Sequence, residues 1–311
     1  MKTRLVSQNP SLPKLKQGKV LLIGRPNVGK STFVNNLIGQ KVAITSPKPQ
    51  TTRMPIRALY EEERGKIVFV DTPGIFGRAM DFLSKKINEK TLQTINEQVD
   101  LVIYMVDHTR KRDFEEAKVL GLVRKLDRKK ILVINKTDDQ KKSFLPQYKF
   151  LEDEFKDVFE ISALHKTHFK LLMDKVFEYL PDLNTSQVEE EKSKTTEINA
   201  SGYPLLNMDS KLFIAELIRE KVFLMMGEEI PYTTTVVVDE IAERANGIMF
   251  VKARILTTND RYKRMLIGAA GRKIKEIGSF ARKEISLAIN KKVYLDVTVV
   301  TDPHWQEVLY S

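Results

Sequence analysis

The chain has 311 residues, a formal net charge of +11 and no cysteine. This length allows about two domains with proper cores, and the lack of cysteine excludes a disulfide framework and fits a reducing, cytosol-like compartment. With only four histidines and no cysteine, a protein-ligated zinc or iron site is not expected, and no apolar run is long enough to span a bilayer.

Residues 1–17 form the first segment. They include Lys2, Arg4, Lys14 and Lys16, but no acidic residue and no apolar signal core. This composition predicts a flexible basic extension, and an organelle transit peptide is the alternative interpretation.

A glycine-containing loop follows the first predicted strand, Val20 to Ile23, and leads into a short apolar helix face that Gly39 can end. A strand, a glycine loop and a helix in this order predict a phosphate cradle, because backbone N–H groups and the helix N-terminus face an anion. Lys30 would reach the outer phosphates and the Ser31 hydroxyl would bind magnesium. A chance turn is the alternative. The cradle comprises Gly24, Arg25, Pro26, Asn27, Val28, Gly29, Lys30, Ser31 and Thr32.

The segment 45–53 contains two prolines and no apolar period, which predicts a mobile loop. A second predicted strand, Lys66 to Val70, runs into a short box of polar and turn residues. An acid at the carboxyl end of such a strand can hold magnesium, usually through water, and a glycine N–H can meet a γ-phosphate. The box consists of Asp71, Thr72, Pro73 and Gly74, with Ile75 directly after it.

Two further predicted strands, Leu101 to Val106 and Ile131 to Ile134, are separated by a predicted helix over residues 113–126. The later strand runs into Asn135, Lys136, Thr137 and Asp138. A carboxylate at Asp138 that accepts hydrogen bonds from the N1–H and exocyclic amine of guanine would reject adenine, which offers no matching donor pair.

A fifth predicted strand, Val158 to Ile161, delivers Ser162 and Ala163, where a backbone N–H could meet the guanine carbonyl. Apolar residues from Phe169 onward then form one face of a helix that Pro181 stops. Each proposed ligand segment therefore follows a strand, where ligands bind in an open, mostly parallel α/β sheet.

Residues 18–183 resemble the translation-factor-type P-loop GTPases, with all five sequence boxes of that class in order. The resemblance implies an α/β fold with a mostly parallel sheet, GTP and GDP as ligands, and catalytic roles for Lys30, Thr52 and Gly74. It also implies magnesium at Ser31, Thr52 and Asp71.

Ile75 occupies the position where Ras-like enzymes have a water-orienting glutamine, which predicts slow unaided hydrolysis. Related GTPases with an apolar residue there often use a monovalent cation, and Asn27 matches their potassium-ligating asparagine. Potassium is therefore a hypothesis that the resemblance suggests.

Residues 184–204 are polar and poor in apolar side chains, which predicts an interdomain linker.

After the linker we predict a helix from Leu212, strands at 233–241 and 248–256, two helices joined by Gly268 to Gly271, and a final strand at 291–300. This order resembles a type II KH domain at residues 205–303, in which a Gly-x-x-Gly loop lets single-stranded RNA approach closely. Residues 304–311 are a C-terminal tail.

Positive charge is concentrated in this second region. Between residues 244 and 292 there are thirteen Lys or Arg and three acidic residues, which favours a nucleic-acid surface over a generally basic protein. An ordinary solvated face is the alternative for any one lysine, and a plain helix–helix turn for the Gly-x-x-Gly loop. The predicted RNA-binding residues are Arg261, Lys263, Arg264, Gly268, Ala269, Ala270, Gly271, Arg272, Lys273 and Lys275.

The combination of both regions, with Gln50 to Arg53 in the loop and Phe213 to Lys221 after the linker, resembles the Era family of bacterial GTPases. The resemblance implies a monomeric factor that binds the 3′ end of small-subunit (16S) ribosomal RNA and assists maturation of the small ribosomal subunit. It implies a cytoplasmic protein with peripheral association to the inner membrane. The chain departs from the family at Ala269 and Ala270, which are apolar where a basic residue is frequent, and in its longer N-terminal extension.

Two other functions are alternatives. A GTP-powered RNA-modifying enzyme would need a further catalytic constellation, and the second region offers no cysteine and only His304. A pure RNA-binding module with a degenerate nucleotide site is disfavoured by the intact Lys30, Ser31, Asp71 and Asp138.

Overall fold

The structure, a computed structural model, describes residues 15–75, 81–183, 208–227 and 229–310. The predicted linker at 184–204 and most of the predicted N-terminal extension lie outside the described residues. Lys16 and Gln17, which the sequence interpretation assigns to the extension, are the first residues of a strand. That strand begins earlier than its apolar run because Lys16 and Gln17 pair in register with Gly65 and Lys66.

The first domain contains a six-stranded sheet in the order β2-β3-β1-β4-β5-β6. All neighbouring strands are parallel except β2, which is antiparallel to β3 at one edge. The strands are β1 (Lys16–Ile23), β2 (Ile56–Glu62), β3 (Gly65–Asp71), β4 (Leu101–Asp107), β5 (Lys129–Asn135) and β6 (Val158–Glu160).

Helices cover both faces of this sheet. They are α1 (Lys30–Ile38), α2 (Phe82–Ile95), α3 (Phe114–Lys125) and α4 (Phe169–Tyr179). In β1, Val20 and Leu22 belong to the core that includes α1 and α4, whereas Leu21 and Ile23 belong to the core that includes α3. Burial on both faces explains why the sequence of the central strands is continuously apolar.

The second domain has a three-stranded sheet in the order β7-β8-β9, with β7 antiparallel and β9 parallel to β8. Ile277, Ala281 and Ile285 form a buried stripe on one helix and belong to the same core as Val251 and Ile255 of the sheet. The elements are α5 (Ser210–Met225), β7 (Thr234–Glu243), β8 (Met249–Thr257), α6 (Asp260–Ile267), α7 (Arg272–Ile289), β9 (Val293–Thr301) and α8 (Trp305–Tyr310).

The predicted fold class is confirmed: a mostly parallel P-loop-type sheet is followed by the helix–strand order of a type II KH domain.

The sequence interpretation missed β2, α2 and α8. The segment assigned to a C-terminal tail contains Trp305, which is buried and donates its indole N–H to the Thr233 carbonyl at 3.1 Å. Packing between the two domains orders this segment, since Trp305 clusters with Leu83 and Ile87 of α2.

Two glycines of the first domain give a matched test of this fold. Gly65 has φ +140°, and a Cβ there would lie 1.8 Å from the Lys16 carbonyl oxygen, whereas a Cβ at Gly121 within α3 would have nothing within 4 Å. We expect Gly65→Ala to lower the free energy of unfolding by roughly 2–4 kcal/mol through strain and overlap. Gly121→Ala should raise it by about 0.5–1 kcal/mol. Chemical denaturation measures both, and an unchanged Gly65→Ala protein would contradict the β1–β3 register.

Candidate nucleotide and RNA sites

The loop between β1 and α1 forms a compact cradle around the lysine ammonium. Lys30 is the first residue of α1, and its Nζ donates to the carbonyls of Gly24 and Arg25 at 3.0 Å each. Gly29 adopts φ +105°, and a Cβ there would lie 2.1 Å from the Asn135 Nδ2. Only glycine fits this position, so the loop backbone can pass close to Asn135, the first of residues 135–138, which we call the guanine box because the sequence predicts that they bind guanine.

Three oxygen-bearing side chains meet beside the cradle. The Ser31 hydroxyl donates to Asp71 Oδ2 at 2.6 Å and lies 3.1 Å from Thr52 Oγ1. Among the described residues, Asp71 Oδ1 is buried without a hydrogen-bond partner. Two hydroxyls and a carboxylate are the hard oxygen donors that magnesium prefers, so these residues fit the ion that the sequence predicts for them.

Burial shifts the pKa values of two charged residues at this site, Lys30 and Asp71. Desolvation lowers the pKa of Lys30 to about 8, although the Asp71 carboxylate opposes the shift. Desolvation also raises the pKa of Asp71 to about 6, against the effects of Lys30 and the Ser31 hydrogen bond. Both groups are therefore held in an environment that disfavours their charged forms, which is common where a charged ligand completes the site.

The guanine box is held together by one amide. Asn135 Nδ2 donates to the Val28 carbonyl at 2.7 Å, and Asn135 Oδ1 accepts from the Ala163 N–H at 2.8 Å. Ser162 Oγ donates to Asp138 Oδ1 at 2.5 Å, which orients a carboxylate that is itself exposed. The Thr137 N–H donates to the Ile161 carbonyl at 3.2 Å.

Lys136, in the middle of this box, has a left-handed backbone with φ 71°. Its Nζ pairs with Asp107 Oδ2 at 2.6 Å, and its carbonyl oxygen lies 2.8 Å from His108 Nε2. Sequence reasoning did not single out Asp107 or His108 for this role. Their position directly at the end of β4, beside the end of β5, is the signal that could have indicated it.

Several predicted ligand residues direct their side chains elsewhere, among them Arg25, Thr72 and Ile75. The Arg25 guanidinium is fully buried away from the cradle, 2.6 Å from Glu116 and 2.9 Å from the Tyr148 hydroxyl. Thr72 Oγ1 donates to the Leu22 carbonyl at 2.7 Å. Ile75 is buried in the hydrophobic cluster that includes Ile23 and Val70. Any contact from Arg25, Thr72 or Ile75 to a nucleotide would therefore come from the backbone.

A cavity of about 300 Å³ lies between the cradle and residues 44–53, which we call the switch loop. Asn27 borders it and donates from Nδ2 to the Pro47 carbonyl at 2.6 Å. Gly74 also borders it, and a Cβ there would lie 2.4 Å from the Pro26 Cα. The lining residues of the switch loop that sequence reasoning did not assign are Ile44, Thr45, Ser46, Pro47, Gln50 and Thr51.

The predicted RNA-binding residues cluster at the junction of α6 and α7. Gly268, Ala270 and Gly271 all have positive φ, and a Cβ at Gly268 would lie 2.7 Å from the Lys273 Cβ. The turn is therefore tight, with Ala269 and Ala270 exposed. Arg261, Arg264, Arg272 and Lys275 are exposed around it, and Lys263 and Lys273 are half-buried.

Together the fold and the two sites define a P-loop GTPase joined to a KH domain. Residues 19–136 match the family described as 50S ribosome-binding GTPase, and residues 229–304 match the KH domain family. GTPase Era of Halothermothrix orenii is 38% identical over 294 residues, which cover 94% of this chain and 95% of that protein. GTPase Era of Thermotoga maritima is 36% identical over 297 residues, with 94% of each chain covered.

Two solved structures are similar along the same length. Era in complex with MgGDPNP and nucleotides 1506–1542 of 16S ribosomal RNA has a TM-score of 0.82 at 30% identity, with 94% of this chain and 95% of that chain covered. A point variant of Aquifex aeolicus Era bound to GDP·AlF4⁻ has a TM-score of 0.81 at 30% identity, with 94% and 96% covered. This chain belongs to the Era family of GTPases, and GTP hydrolysis is its reaction.

Asp138 provides the test of the guanine box. Asp138→Asn replaces one acceptor oxygen with a donor, so GTP affinity should fall by about 2 kcal/mol, roughly thirtyfold, and xanthosine triphosphate should be admitted. Titration calorimetry with both nucleotides measures the change. Asp139→Asn, one residue further along, is the matched control and should keep the GTP preference. Unchanged selectivity in Asp138→Asn would contradict the assignment.

Proposed function

We propose that this GTPase is a nucleotide-controlled RNA-binding factor that binds the 3′ end of 16S ribosomal RNA and assists maturation of the small ribosomal subunit. The observation that carries the proposal is the similarity, along nearly the whole chain, to an Era solved with MgGDPNP and that part of the RNA. The family description that mentions the 50S subunit applies only to residues 19–136, so it does not bear on the RNA that the KH domain contacts.

For hydrolysis, the cradle residues bind and orient the triphosphate. Lys30 neutralises charge on the outer phosphates, the loop N–H groups hold the oxygens, and the Gly74 N–H faces the γ-phosphate. Ser31, Thr52 and Asp71 would hold magnesium, which when bound neutralises charge that develops on the phosphates. Since the Ile75 side chain is buried in the core, it cannot orient the attacking water.

Potassium is proposed as an additional cofactor. The Asn27 Nδ2 donates to the Pro47 carbonyl, which holds this side chain between the cradle and the switch loop, at the edge of the cavity. A cation there would supply positive charge beside the phosphates, in place of a catalytic side chain.

We expect potassium to support a several-fold higher rate of GTP hydrolysis than sodium at equal ionic strength, because the larger ion suits carbonyl ligands. Asn27→Ala should abolish the difference between the two salts. Phosphate release under single-turnover conditions measures both, and Asn88→Ala on α2 is a control amide that does not line the cavity. Equal rates in the two salts for the unaltered protein would contradict the potassium proposal.

RNA binding is proposed for the Gly-x-x-Gly turn and its basic flanks. Exposed Arg261, Arg264, Arg272 and Lys275 offer phosphate contacts around a turn without bulky side chains. Such a turn lets single-stranded RNA backbone approach closely while the bases lie along a groove. The absence of a basic residue at Ala269 and Ala270 leaves phosphate binding to the flanking helices.

Coupling between the two ligands is part of the proposal. Helix α7 begins at the turn, and further along it Glu284 pairs with Lys41, just before the switch loop, at 2.6 Å. Glu284 also pairs with Lys221 of α5 at 3.0 Å. The helix that carries RNA-facing cations therefore also contacts the nucleotide-binding domain, which supports a dependence of RNA affinity on the nucleotide.

Within the described ranges, no helix combines the length and apolar content needed to cross a bilayer. We propose a monomer that works in the cytoplasm and that associates peripherally with the inner membrane, as the family resemblance suggests. Sedimentation of the purified protein with and without vesicles of bacterial lipids would test both statements.

We expect RNA affinity to differ between a non-hydrolysable GTP analogue and GDP by about 1–3 kcal/mol, roughly 5- to 150-fold, and linkage requires RNA to change the relative nucleotide affinities by the same factor. An oligonucleotide with the 16S 3′ end, at one fixed salt concentration, is the ligand. Gly271→Asp should abolish RNA binding but not nucleotide binding, since it adds a negative charge at the turn. Gly247→Asp is the control, another left-handed glycine with open space around it. Equal RNA affinity in both nucleotide states would overturn the coupling.

A further inference from the structure

Both neighbours of Thr52 are held by the second domain. Arg219 Nη2 of α5 donates to the Thr51 carbonyl at 2.5 Å. On the other side, Arg53 donates to the carbonyls of Thr234 and Pro231 at 2.8 and 3.0 Å. Thr52, the residue of the switch loop whose hydroxyl lies beside the Ser31 hydroxyl, is thus flanked by contacts that cross the domain boundary.

These contacts are dehydrated. Arg53 and Arg219 are 3% and 1% exposed, and the Phe223 ring lies 5.5 and 5.0 Å from their respective Cζ atoms. Trp305 approaches Arg53 at 5.5 Å, and Glu216 pairs with Arg219 at 2.5 Å. Buried guanidinium groups are costly without partners, so their geometry is fixed by aromatic faces, a carboxylate and backbone carbonyls.

The beginning of the switch loop is held in the same way. The Thr45 N–H donates to Glu220 Oε1 at 2.9 Å, and Glu220 also pairs with Lys41 at 2.6 Å. Lys48 Nζ contacts the carbonyls of Phe223 and Met226, where a cation suits the C-terminal end of α5. The loop is therefore attached to α5 at both ends.

Contacts that only held the two domains together would not need to involve the backbone next to Thr52. The Arg219 hydrogen bond is to the peptide carbonyl directly before Thr52, so it restricts the backbone that carries the Thr52 hydroxyl. Glu216 in turn fixes the guanidinium through Nε at 2.7 Å. Holding a ligand-bearing backbone in place is how remote groups contribute to catalysis without touching the substrate.

We infer that Arg219 is a positioning residue for GTP hydrolysis, which acts from the KH domain by holding the Thr51 carbonyl so that Thr52 stays beside Ser31. The inference rests on the proposed role of Thr52 and is independent of the proposed RNA. It implies that the KH domain contributes to hydrolysis even when no RNA is bound. GDP binding does not need a γ-phosphate contact from the switch loop, so GDP affinity should be indifferent to Arg219.

The first experiment compares Arg219→Met with the unaltered full-length protein in the absence of RNA. We expect the single-turnover rate to fall about tenfold or more and the magnesium concentration for half-maximal rate to rise. GDP affinity should stay within about twofold, the scatter expected for a distant substitution. Arg254→Met is the matched control, because Arg254 also pairs with a carboxylate in the second domain, at 2.7 Å from Asp239, and has no contact with the switch loop among the described residues. It should leave all three quantities unchanged.

A double-mutant cycle with Thr52→Val separates positioning from general destabilisation. If Arg219 acts through Thr52, Arg219→Met should cost little further rate in the Thr52→Val background. Three results would overturn the inference. They are additive losses of rate in the double variant, a loss of GDP affinity in Arg219→Met that parallels its loss of rate, and a normal rate in Arg219→Met while Thr52→Val is slow. A normal rate in Thr52→Val would overturn both the role of Thr52 and the inference.

Glu216→Gln covers the case in which Arg219→Met does not fold. It keeps the shape of the side chain and weakens only its hold on the guanidinium, so a smaller loss of rate in the same direction is expected. Trp305 is the only tryptophan in the chain and contacts Arg53, so its fluorescence reports whether the interface is intact. A native Trp305 spectrum together with an unchanged rate in Glu216→Gln and Arg219→Met would count against positioning.

Discussion

The nucleotide site depends on one side-chain amide that joins the segments following three strands. Asn135, the last residue of β5, donates to the Val28 carbonyl and accepts from the Ala163 N–H, so the loops after β1 and β6 are both attached to the end of β5. The close approach needs Gly29, whose missing side chain leaves room for this amide. Lys30, which begins α1, and Asp138, which follows β5, lie on segments that are connected directly to the residues of this contact.

The same site is electrostatically unfavourable by itself. Lys30 and Asp71 are buried together, and burial disfavours the charged form of each. Apolar packing offsets the free-energy cost of burying these two groups, because the central strands of the sheet are covered by apolar side chains on both faces. A rigid scaffold can thus keep polar groups oriented that a triphosphate with its metal would stabilise, which is the usual arrangement at a preorganised site.

Much of the fold was predictable because the central strands are buried on both faces. β3, β4 and β5 begin and end close to their predicted residues, since an apolar run bounded by turn residues is a strong local signal. β2 was not predicted, because Ile56–Glu62 at the edge of the sheet neither alternates regularly nor forms a continuous apolar run, and it is defined by its antiparallel pairing with β3. Leu83 and Ile87 of α2 cluster with Trp305 of α8 and Leu256 of β8 across the domain boundary, so the burial of these residues depends on partners distant in sequence.

Prediction of the candidate site from the sequence is limited in the same way, by contacts between residues that are distant in sequence. Backbone roles at Gly29 and Gly74 follow from spacing, because only glycine fits where loops meet. The direction of a side chain does not: Arg25 lies in the phosphate loop yet pairs with Glu116 on α3, and Ile75 points into the core. Such choices are made by partners distant in sequence, and no single-chain periodicity encodes them.

The positive charge of the chain is used in two ways, one at the interface between the domains and one around the Gly-x-x-Gly turn. Lysines of the interface are paired with acids, as Lys41 and Lys221 are with the buried Glu220 and the half-buried Glu284, whereas the cations around the Gly-x-x-Gly turn remain largely exposed. Glu284 and two of the exposed cations, Arg272 and Lys275, lie on the same helix α7, which spans 18 residues, about 27 Å at the usual helical rise. A continuous helix does not bend readily, so a shift imposed at its end beside the Gly-x-x-Gly turn would appear at Glu284 as a translation or rotation. Glu284 would then part from Lys41 or carry Lys41 with it. Because Lys41 also pairs with Glu220, which accepts from the Thr45 N–H, such a movement would reach the switch loop.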